Sequence, residues 1–366
     1  MKRYLIFGFS SQLGGIETFL FNYIGEMQKQ DPENSFDFIL LDEMPDFFKT
    51  SILSQNKTYI IPRRTKNPIL YYKSLKNILK KGRYDVLWYN VCTLSDITLL
   101  KLAKKYNVSC RIVHSHNSEN MGGRMVGWLH NMNRNVVKKY ATDFFACSDL
   151  AGCFMFPKLI WENKGKVVKN GIYVEKYEFS EKIRQRKRNS LGIQNEIVVG
   201  NIGRFHFQKN HSFIIEIFDQ ILKEDPTAKL LLIGNGSLKE NIVRKARSLG
   251  VLENIIFLEN RLDVNELLQA MDVFLFPSLF EGLGIALIEA QAADLPCVIS
   301  DTIPQDARLT KRITSLSLGE SAEVWAGAVL GVLDDEKRTT QTRLIREEGF
   351  DIVSNAKEIL RYIEER

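Results

Sequence analysis

The sequence predicts an α/β protein of two doubly wound domains, and three observations carry that expectation. Short apolar runs rich in β-branched and aromatic residues alternate with longer amphipathic segments along the whole chain, the pattern of parallel sheets covered by helices on both faces. The runs fall into two series on either side of a junction at KVVKNGIYVEKYEF, residues 166–179. At 366 residues the chain is too long for one ordinary core and comfortable for two.

In the first series the strand candidates are YLIFGF (4–9), FDFILL (36–41), TYIIP (58–62), DVLWYN (85–90), CRIVHSH (110–116) and DFFACS (143–148). In the second they are EIVVGNIG (196–203), KLLLIG (229–234), NIIFLE (254–259), DVFLFPS (272–278) and PCVIS (296–300). Helical periodicity lies between them, as in HSFIIEIFDQILKED (211–225), with apolar residues at 213/214, 217/218 and 221/222. A charged run, EKIRQRKRNSLGIQNE (181–196), precedes the first strand of the second series, and FDIVSNAKEILRYIEER (350–366) reads as a closing helix. The domains are therefore expected over 1–170 and 171–349, with the final helix over 350–366.

Composition narrows the function classes. The five cysteines show no CxxC and no regular spacing, which argues for a reducing compartment and against a disulfide framework or zinc site. The start, MKRYLIFGF, carries too short an apolar run for a signal peptide and reads better as a buried strand. No stretch approaches the ~18 apolar residues of a spanning helix, so a cytoplasmic protein is expected. Residues 1–170 hold 25 Lys+Arg against 14 Asp+Glu, and residues 171–366 hold 25 against 30. That asymmetry suggests that the first half faces an anionic partner. Within it, RRTKNPILYYKSLKNILKKGR (63–83) carries apolar residues at 71/72, 75 and 78/79, with lysines at 73, 76, 80 and 81. It reads either as a basic amphipathic helix on an anionic membrane surface or as an ordinary sheet-covering helix with a charged outer face.

Ligands of doubly wound sheets bind beyond the carboxyl ends of the strands, and the unusual residues fall there. FEGLGIALIEAQAADLP (280–296) sets Glu281 and Glu289 eight positions apart in an apolar run. The strand ends near Pro277, and a helix is expected from about Leu283. Gly282 and Gly284 permit a tight turn and close ligand approach, and the first helical amides, near Gly284, Ile285 and Ala286, suit a phosphate. An unpaired buried carboxylate is costly, so Glu289 needs partners. Ligand hydroxyls would satisfy it, and so would a structural ion pair or loop contact.

In GRFHFQKN (203–210), Arg204 and Lys209 flank a loop between strand and helix. Two fixed cations there would neutralise a diphosphate, although solvated surface charges explain such a loop as well. Gly14-Gly15 opens the first helix but is not the dinucleotide fingerprint, so NAD is not expected. Glu17, in that helix's first turn, is explained by the helix dipole alone. HSHN (114–117) places two histidines at a strand end. Their rings are expected to diverge across the strand, which argues against a metal pair. His116 is the one expected to reach the site, and the competing reading is a histidine satisfied within the structure.

Taken together, the Glu281-x7-Glu289 pair, the GR....KN loop, the N-terminal GGxE and the HSHN strand end resemble the retaining glycosyltransferases of family 4, which have the GT-B fold, over essentially the whole chain. The stretch FEGLGIALIEAQAADLPCVISDTIP looks closest to members that assemble bacterial capsular or extracellular polysaccharide. The resemblance implies two Rossmann-like domains facing across an interdomain cleft, with the final helix returning to the first domain. It implies a nucleotide-sugar donor, UDP-linked, held at the diphosphate by Arg204, Lys209 and the amides near Gly282, Leu283, Gly284 and Ile285, and at the ribose by Glu289. Asn235-Gly236 and Arg261-Leu262 would line the base pocket. Glu281 and His116 would act at the donor sugar with the Gly14-Gly15 loop. No cofactor and no metal are implied, nor any nucleic-acid partner. The acceptor would be a lipid-linked oligosaccharide hydroxyl, at the inner face of the cytoplasmic membrane. The sequence departs from the family pattern at Asp294, where glycine is usual, and at DTIPQDA (301–307), where Asp306 is the nearest acid. Two other readings keep this fold: a nucleotide-sugar epimerase, and a non-catalytic nucleotide-sugar-binding subunit.

Overall fold

A computed structural model describes the chain except residues 11–13, 121, 260, 262 and 334–336. It forms two compact units, Met1–Ile172 with Gly349–Arg366, and Tyr173–Glu348.

The first unit is built on seven parallel strands: β1 (Arg3–Phe7), β2 (Ser35–Leu41), β3 (Thr58–Ile61), β4 (Val86–Val91), β5 (Cys110–Ser115), β6 (Asp143–Ala146) and β7 (Gly165–Val167). Their order across the sheet is β3-β2-β1-β4-β5-β6-β7. The chain steps outward from β1 to β3 and then restarts on the other side with β4, so the order reverses between β1 and β4. Continuous apolar strands such as YLIF and VLWY are what a sheet buried on both faces requires. The last helix, Ile352–Glu364, belongs to this unit and packs on the Gly15–Gln30 helix. Gln30 donates to the Val353 carbonyl at 2.9 Å, Lys166 pairs with Glu358 at 2.7 Å, and the Tyr362 hydroxyl donates to Asp143 at 2.7 Å.

The second unit has six parallel strands: β8 (Val198–Ile202), β9 (Lys229–Ile233), β10 (Ile255–Leu258), β11 (Val273–Phe276), β12 (Cys297–Ser300) and β13 (Ile313–Leu316). Their order, β10-β9-β8-β11-β12-β13, reverses between β8 and β11. The α/β class with two parallel sheets is as the sequence predicts.

β7 falls on the strand-like start of the 166–179 junction, whereas β13 was not anticipated; they have three and four residues, none of them fully buried. β13 carries too little apolar alternation to register. The charged run at 181–196 contains a helix, Glu181–Ser190, capped by Ser180. Arg184 and Arg188 from that helix bind Asp272 at 2.5 and 3.2 Å.

The Pro68–Gly82 helix has the sheet-covering role that was one of its two readings. Tyr71, Leu75, Ile78 and Leu79 are buried in the core of the first unit, so this stripe covers the sheet, while Ile69, Leu70 and Tyr72 stay exposed. Lysines 73, 76, 80 and 81 lie exposed on the other side.

Asp294 also receives a physical account. Its φ is +51°, a left-handed conformation that glycine adopts freely and other residues adopt at a cost of about 1–2 kcal/mol. Its buried carboxylate compensates by accepting from the Thr339 amide at 2.6 Å, the Thr339 hydroxyl at 3.0 Å and the Gln341 amide at 3.0 Å. The aspartate therefore ties the 339–341 segment to the turn after the Ile285–Ala292 helix. Asp294→Ala is expected to destabilise the second unit by about 2–3 kcal/mol, losing the bonds and keeping the strain. Asp294→Gly should recover about 1 kcal/mol of that. Urea unfolding of the three proteins gives the order, and glycine proving worse than alanine would refute it.

Candidate active site

A reversal of strand order leaves a crevice, because the loops leaving the two adjacent strands turn to opposite sides of the sheet. In the second unit those loops follow β8 and β11, and they contain GRFHFQKN and PSLFEGLG. The sequence separation of Lys209 and Glu281 is thereby closed. Lys209 Nζ lies 2.5 Å from Glu281 Oε1, both side chains are largely buried, and the ammonium stands 4.8 Å from the centre of the Phe276 ring. Gln208 stitches the loops together, donating to the Phe280 carbonyl at 2.9 Å and accepting from the Leu279 amide at 2.8 Å. Phe207 and Phe280 meet in a tilted contact beside this pair, with ring centres 5.9 Å apart.

The backbone around the pair admits close approach. Gly234, at φ +148°, lies where a Cβ would meet the Gly203 carbonyl at 2.1 Å. The Phe205 amide donates to the Asn235 carbonyl at 3.0 Å, and the Asn235 side chain accepts from the Gly236 amide at 2.8 Å. The β8 and β9 loops are thus pressed together, which places Asn235-Gly236 beside the loop of Arg204 and Lys209. Arg204 itself is exposed and makes no ion pair or hydrogen bond through its side chain among the described residues. One cation in this loop is neutralised and the other is free to meet an anion.

After β11 the chain turns at Gly284 (φ +77°), and the helix Ile285–Ala292 begins one residue later, two positions beyond the expected start. Of the two glycines, only Gly284 has the left-handed conformation. The amides of Ile285 and Ala286 open the first turn and have no acceptor further back in the helix. Leu283 and Gly284 are buried, while Gly282 and Ile285 keep partial exposure.

Glu289 lies one turn further on, buried on this helix. Tyr177 donates to its Oε1 at 2.6 Å, and Oε2 has no hydrogen-bond partner among the described residues. Burial pushes the carboxyl up to about 7, against the opposing pull of the Tyr177 hydrogen bond. Sequence reasoning missed Tyr177, which lies in the junction segment with nothing local to mark it. Gln269, itself buried, holds that segment in place: its side chain accepts from the Ser180 amide at 3.1 Å and donates to the Tyr177 carbonyl at 3.1 Å.

Other expected positions lie apart from this pair. Arg261 follows the edge strand β10 and forms a two-point ion pair with its near neighbour Asp263, both contacts 2.7 Å. Leu262 lies outside the described residues. Asp306 is exposed on a short turn after β12.

In the first unit, the loops after β1 and β5 carry Gly14, Gly15 and His116. Gly14 caps the Gly15–Gln30 helix, and a Cβ on Gly15 would meet nothing within 4 Å. Glu17 is buried and accepts from the Ser10 amide at 2.8 Å, so it closes the loop as well as facing the helix dipole. The two histidines do not diverge. Side chains along a strand return to the same face every second residue, and the rings of His114 and His116 stack with centres 4.2 Å apart. His114 accepts from the Trp88 indole at 3.3 Å. His116 Nε2 lies 3.0 Å from the Asn90 side-chain oxygen, and Asn90 donates in turn to the Phe7 carbonyl at 3.2 Å. Burial pushes the His116 imidazole down to about 3, so it is a neutral hydrogen-bonding group. Asn90, at the end of DVLWYN, was not anticipated; a polar residue closing an apolar strand was the available signal.

The two doubly wound parallel sheets are those of the GT-B fold, and comparison with known proteins shows what the chain is similar to. Residues 183–347 match the family model of glycosyl transferases group 1. It is 29% identical over 360 residues to the putative glycosyltransferase EpsF of Bacillus subtilis (strain 168), covering 95% of this chain and 92% of that protein. It is 23% identical over 348 residues to the Escherichia coli UDP-Gal:alpha-D-GlcNAc-diphosphoundecaprenol alpha-1,3-galactosyltransferase, covering 90% of this chain and 89% of that one. Among solved structures, Anabaena Alr3699/HepE in complex with UDP and glucose superposes with a TM-score of 0.79 at 17% identity, with both chains fully covered.

The Glu289 environment predicts a pH effect. Its folded pKa is raised above the unfolded value, so the native state holds a proton that the unfolded chain releases between pH 4.5 and about 7. Stability falls as pH rises through that window, by an amount on the order of 3 kcal/mol from this group. Glu289→Gln should therefore flatten the wild-type decline between pH 5 and pH 7 in urea unfolding. Parallel profiles for the two proteins would refute the assignment.

Proposed function

We propose that this protein is a retaining, metal-independent glycosyltransferase that moves a hexosyl or N-acetylhexosaminyl group from a UDP-sugar to a hydroxyl of a lipid-linked oligosaccharide, in capsular, extracellular or related cell-surface polysaccharide synthesis. The observation that carries the reading is the buried Lys209–Glu281 pair at the strand-order reversal, next to the free Arg204 and the amides opening the Ile285–Ala292 helix. That is a set of donors arranged for a diphosphate bearing a sugar. The names of relatives support the chemistry of both substrates: the E. coli relative takes UDP-Gal and a diphosphoundecaprenol-linked sugar, and a Staphylococcus aureus relative, CapH, is a capsular polysaccharide biosynthesis glycosyltransferase. HepE has been crystallised with UDP and with UDP-glucose.

In this reading the diphosphate lies between Lys209, Arg204 and the Ile285 and Ala286 amides. Lys209 keeps Glu281 on its other side, which orients the carboxylate toward the donor sugar. Glu289 Oε2 accepts the ribose hydroxyls while Tyr177 holds Oε1. Asn235-Gly236 and the Arg261 loop meet the base. His116, neutral and fixed by Asn90, serves the sugar as a hydrogen-bonding group. The bond from the anomeric carbon to the diphosphate breaks as the acceptor oxygen attaches on the same face, and the departing phosphate oxygen takes the acceptor proton. Stabilising charge on that leaving group is where the two cations lower the barrier. The acceptor's lipid and the excess positive charge of residues 1–170 imply work at the inner surface of the cytoplasmic membrane, with peripheral attachment.

Lys209→Ala and Glu281→Ala are each expected to reduce transfer by about a hundredfold or more. UDP should raise the melting temperature of the wild type, as any ligand of the native state does, and should fail to do so for Lys209→Ala. Wild-type turnover in either variant, or UDP protection that survives loss of Lys209, would overturn the site.

A further inference from the structure

The Gly123–Val136 helix of the first unit is poorly covered: of its fourteen residues only His130 is buried. His130 is fixed on the inner side, accepting from the Leu94 amide at 3.1 Å and stacking on Phe154 with ring centres 4.5 Å apart. On the outer side Met125, Trp128 and Met132 are 70%, 58% and 52% exposed. Their spacing of three and four places them in one stripe along the helix. Trp128 is the one exposed tryptophan among the four of this chain, since Trp88, Trp161 and Trp325 are buried.

The charges of the segment that carries the stripe have one sign. The segment from residue 123 through the turn to Lys139 holds Arg124, Arg134, Lys138 and Lys139 and no acid. Arg134 is committed to the Cys153 and Phe156 carbonyls at 2.8 and 2.6 Å, whereas Arg124, Lys138 and Lys139 are exposed. A helix with exposed apolar side chains including an indole, flanked by cations and free of acids, complements a bilayer of anionic lipid. A protein partner recognised through apolar contacts alone would leave the cations without a role.

We propose that the Gly123–Val136 helix is the surface by which this protein docks on an anionic membrane, with Met125, Trp128 and Met132 entering the headgroup layer and Arg124, Lys138 and Lys139 meeting lipid phosphates. This rests on the peripheral attachment proposed above and assigns it to an element other than the Pro68–Gly82 helix, whose Tyr71, Leu75, Ile78 and Leu79 are in the core and which exposes no tryptophan. The placement has a consequence for the chemistry. The helix follows directly on the loop after β5 that carries His116, so its first turn lies at the carboxyl edge of the sheet. Docking there would hold a lipid-linked hydroxyl next to the loop that must receive it.

The test uses the full chain with vesicles of equal parts phosphatidylglycerol and phosphatidylcholine. Tryptophan emission should shift to the blue on mixing and be quenched by lipids brominated on their chains, reporting Trp128 alone because the others are already buried. Met125→Ser with Met132→Ser, which keeps the probe, should weaken vesicle binding by about tenfold or more without changing the melting temperature. Lys138→Glu with Lys139→Glu should weaken it most at low salt. Flotation with the vesicles but no emission shift, or unaltered binding by the methionine variant, would overturn this assignment and leave membrane attachment standing. No flotation at all would overturn both. A blue shift that grows with protein concentration in the absence of lipid would point instead to self-association and refute the proposal.

Discussion

The second unit is organised around an ammonium and a carboxylate that are held together where water is scarce. Removing Lys209 and Glu281 from solvent is unfavourable for each alone, and their mutual attraction offsets a penalty of several kcal/mol rather than adding stability. A well-packed apolar pair would serve the fold as well, so stability does not explain the arrangement. Recognition does. The pair sits at the reversal of strand order, where the sheet cannot cover its own edge, and a low-dielectric ammonium attracts an incoming anion far more strongly than a solvated one. Glu281 keeps the charge compensated until that anion arrives.

Everything else near the pair serves to fix the two loops. Gln208 joins them by side chain and backbone, the β9 loop is drawn against the β8 loop by the Phe205–Asn235 bond, and the glycine at 234 admits a backbone contact that no side chain would allow. The first-turn amides of the Ile285–Ala292 helix add a third source of positive potential with no side-chain entropy to lose. A rigid frame of this kind has its hydrogen-bond donors aimed before a ligand binds, which is where electrostatic stabilisation of a leaving group is most effective.

Much of this was legible in the sequence because it depends on local pattern. Each strand with a continuous apolar run could be read, and with it the loops at its carboxyl end, which is how Arg204, Lys209, Glu281 and Gly284 were placed there. What failed depended on partners remote in sequence or on geometry misread. Tyr177 is 112 positions from Glu289, and no local signal connects them. The histidines at 114 and 116 were expected to part, although a strand's period of two puts them side by side. The Pro68–Gly82 helix shows the limit of periodicity: an apolar stripe with lysines opposite is the same whether it meets a sheet or a lipid, and only burial decides between them.

Glu289 shows how the cost of burying a carboxylate can become selectivity in the proposed site. Its carboxyl is raised to about 7 because the helix buries it and Tyr177 offers a single hydrogen bond. A second donor at Oε2 would stabilise the charged form, and the more donors a ligand brings, the larger that gain. A vicinal pair of hydroxyls brings two; a deoxy analogue brings one and leaves the carboxylate less well satisfied. In the proposed donor site, discrimination would come from this incompletely bonded polar group, which is more selective than an apolar pocket can be toward ligands of nearly equal size. The same logic applies at the crevice: an exposed Arg204 and a shared Lys209 are best satisfied together by a ligand with two adjacent phosphates, and a single phosphate would leave one of them facing water.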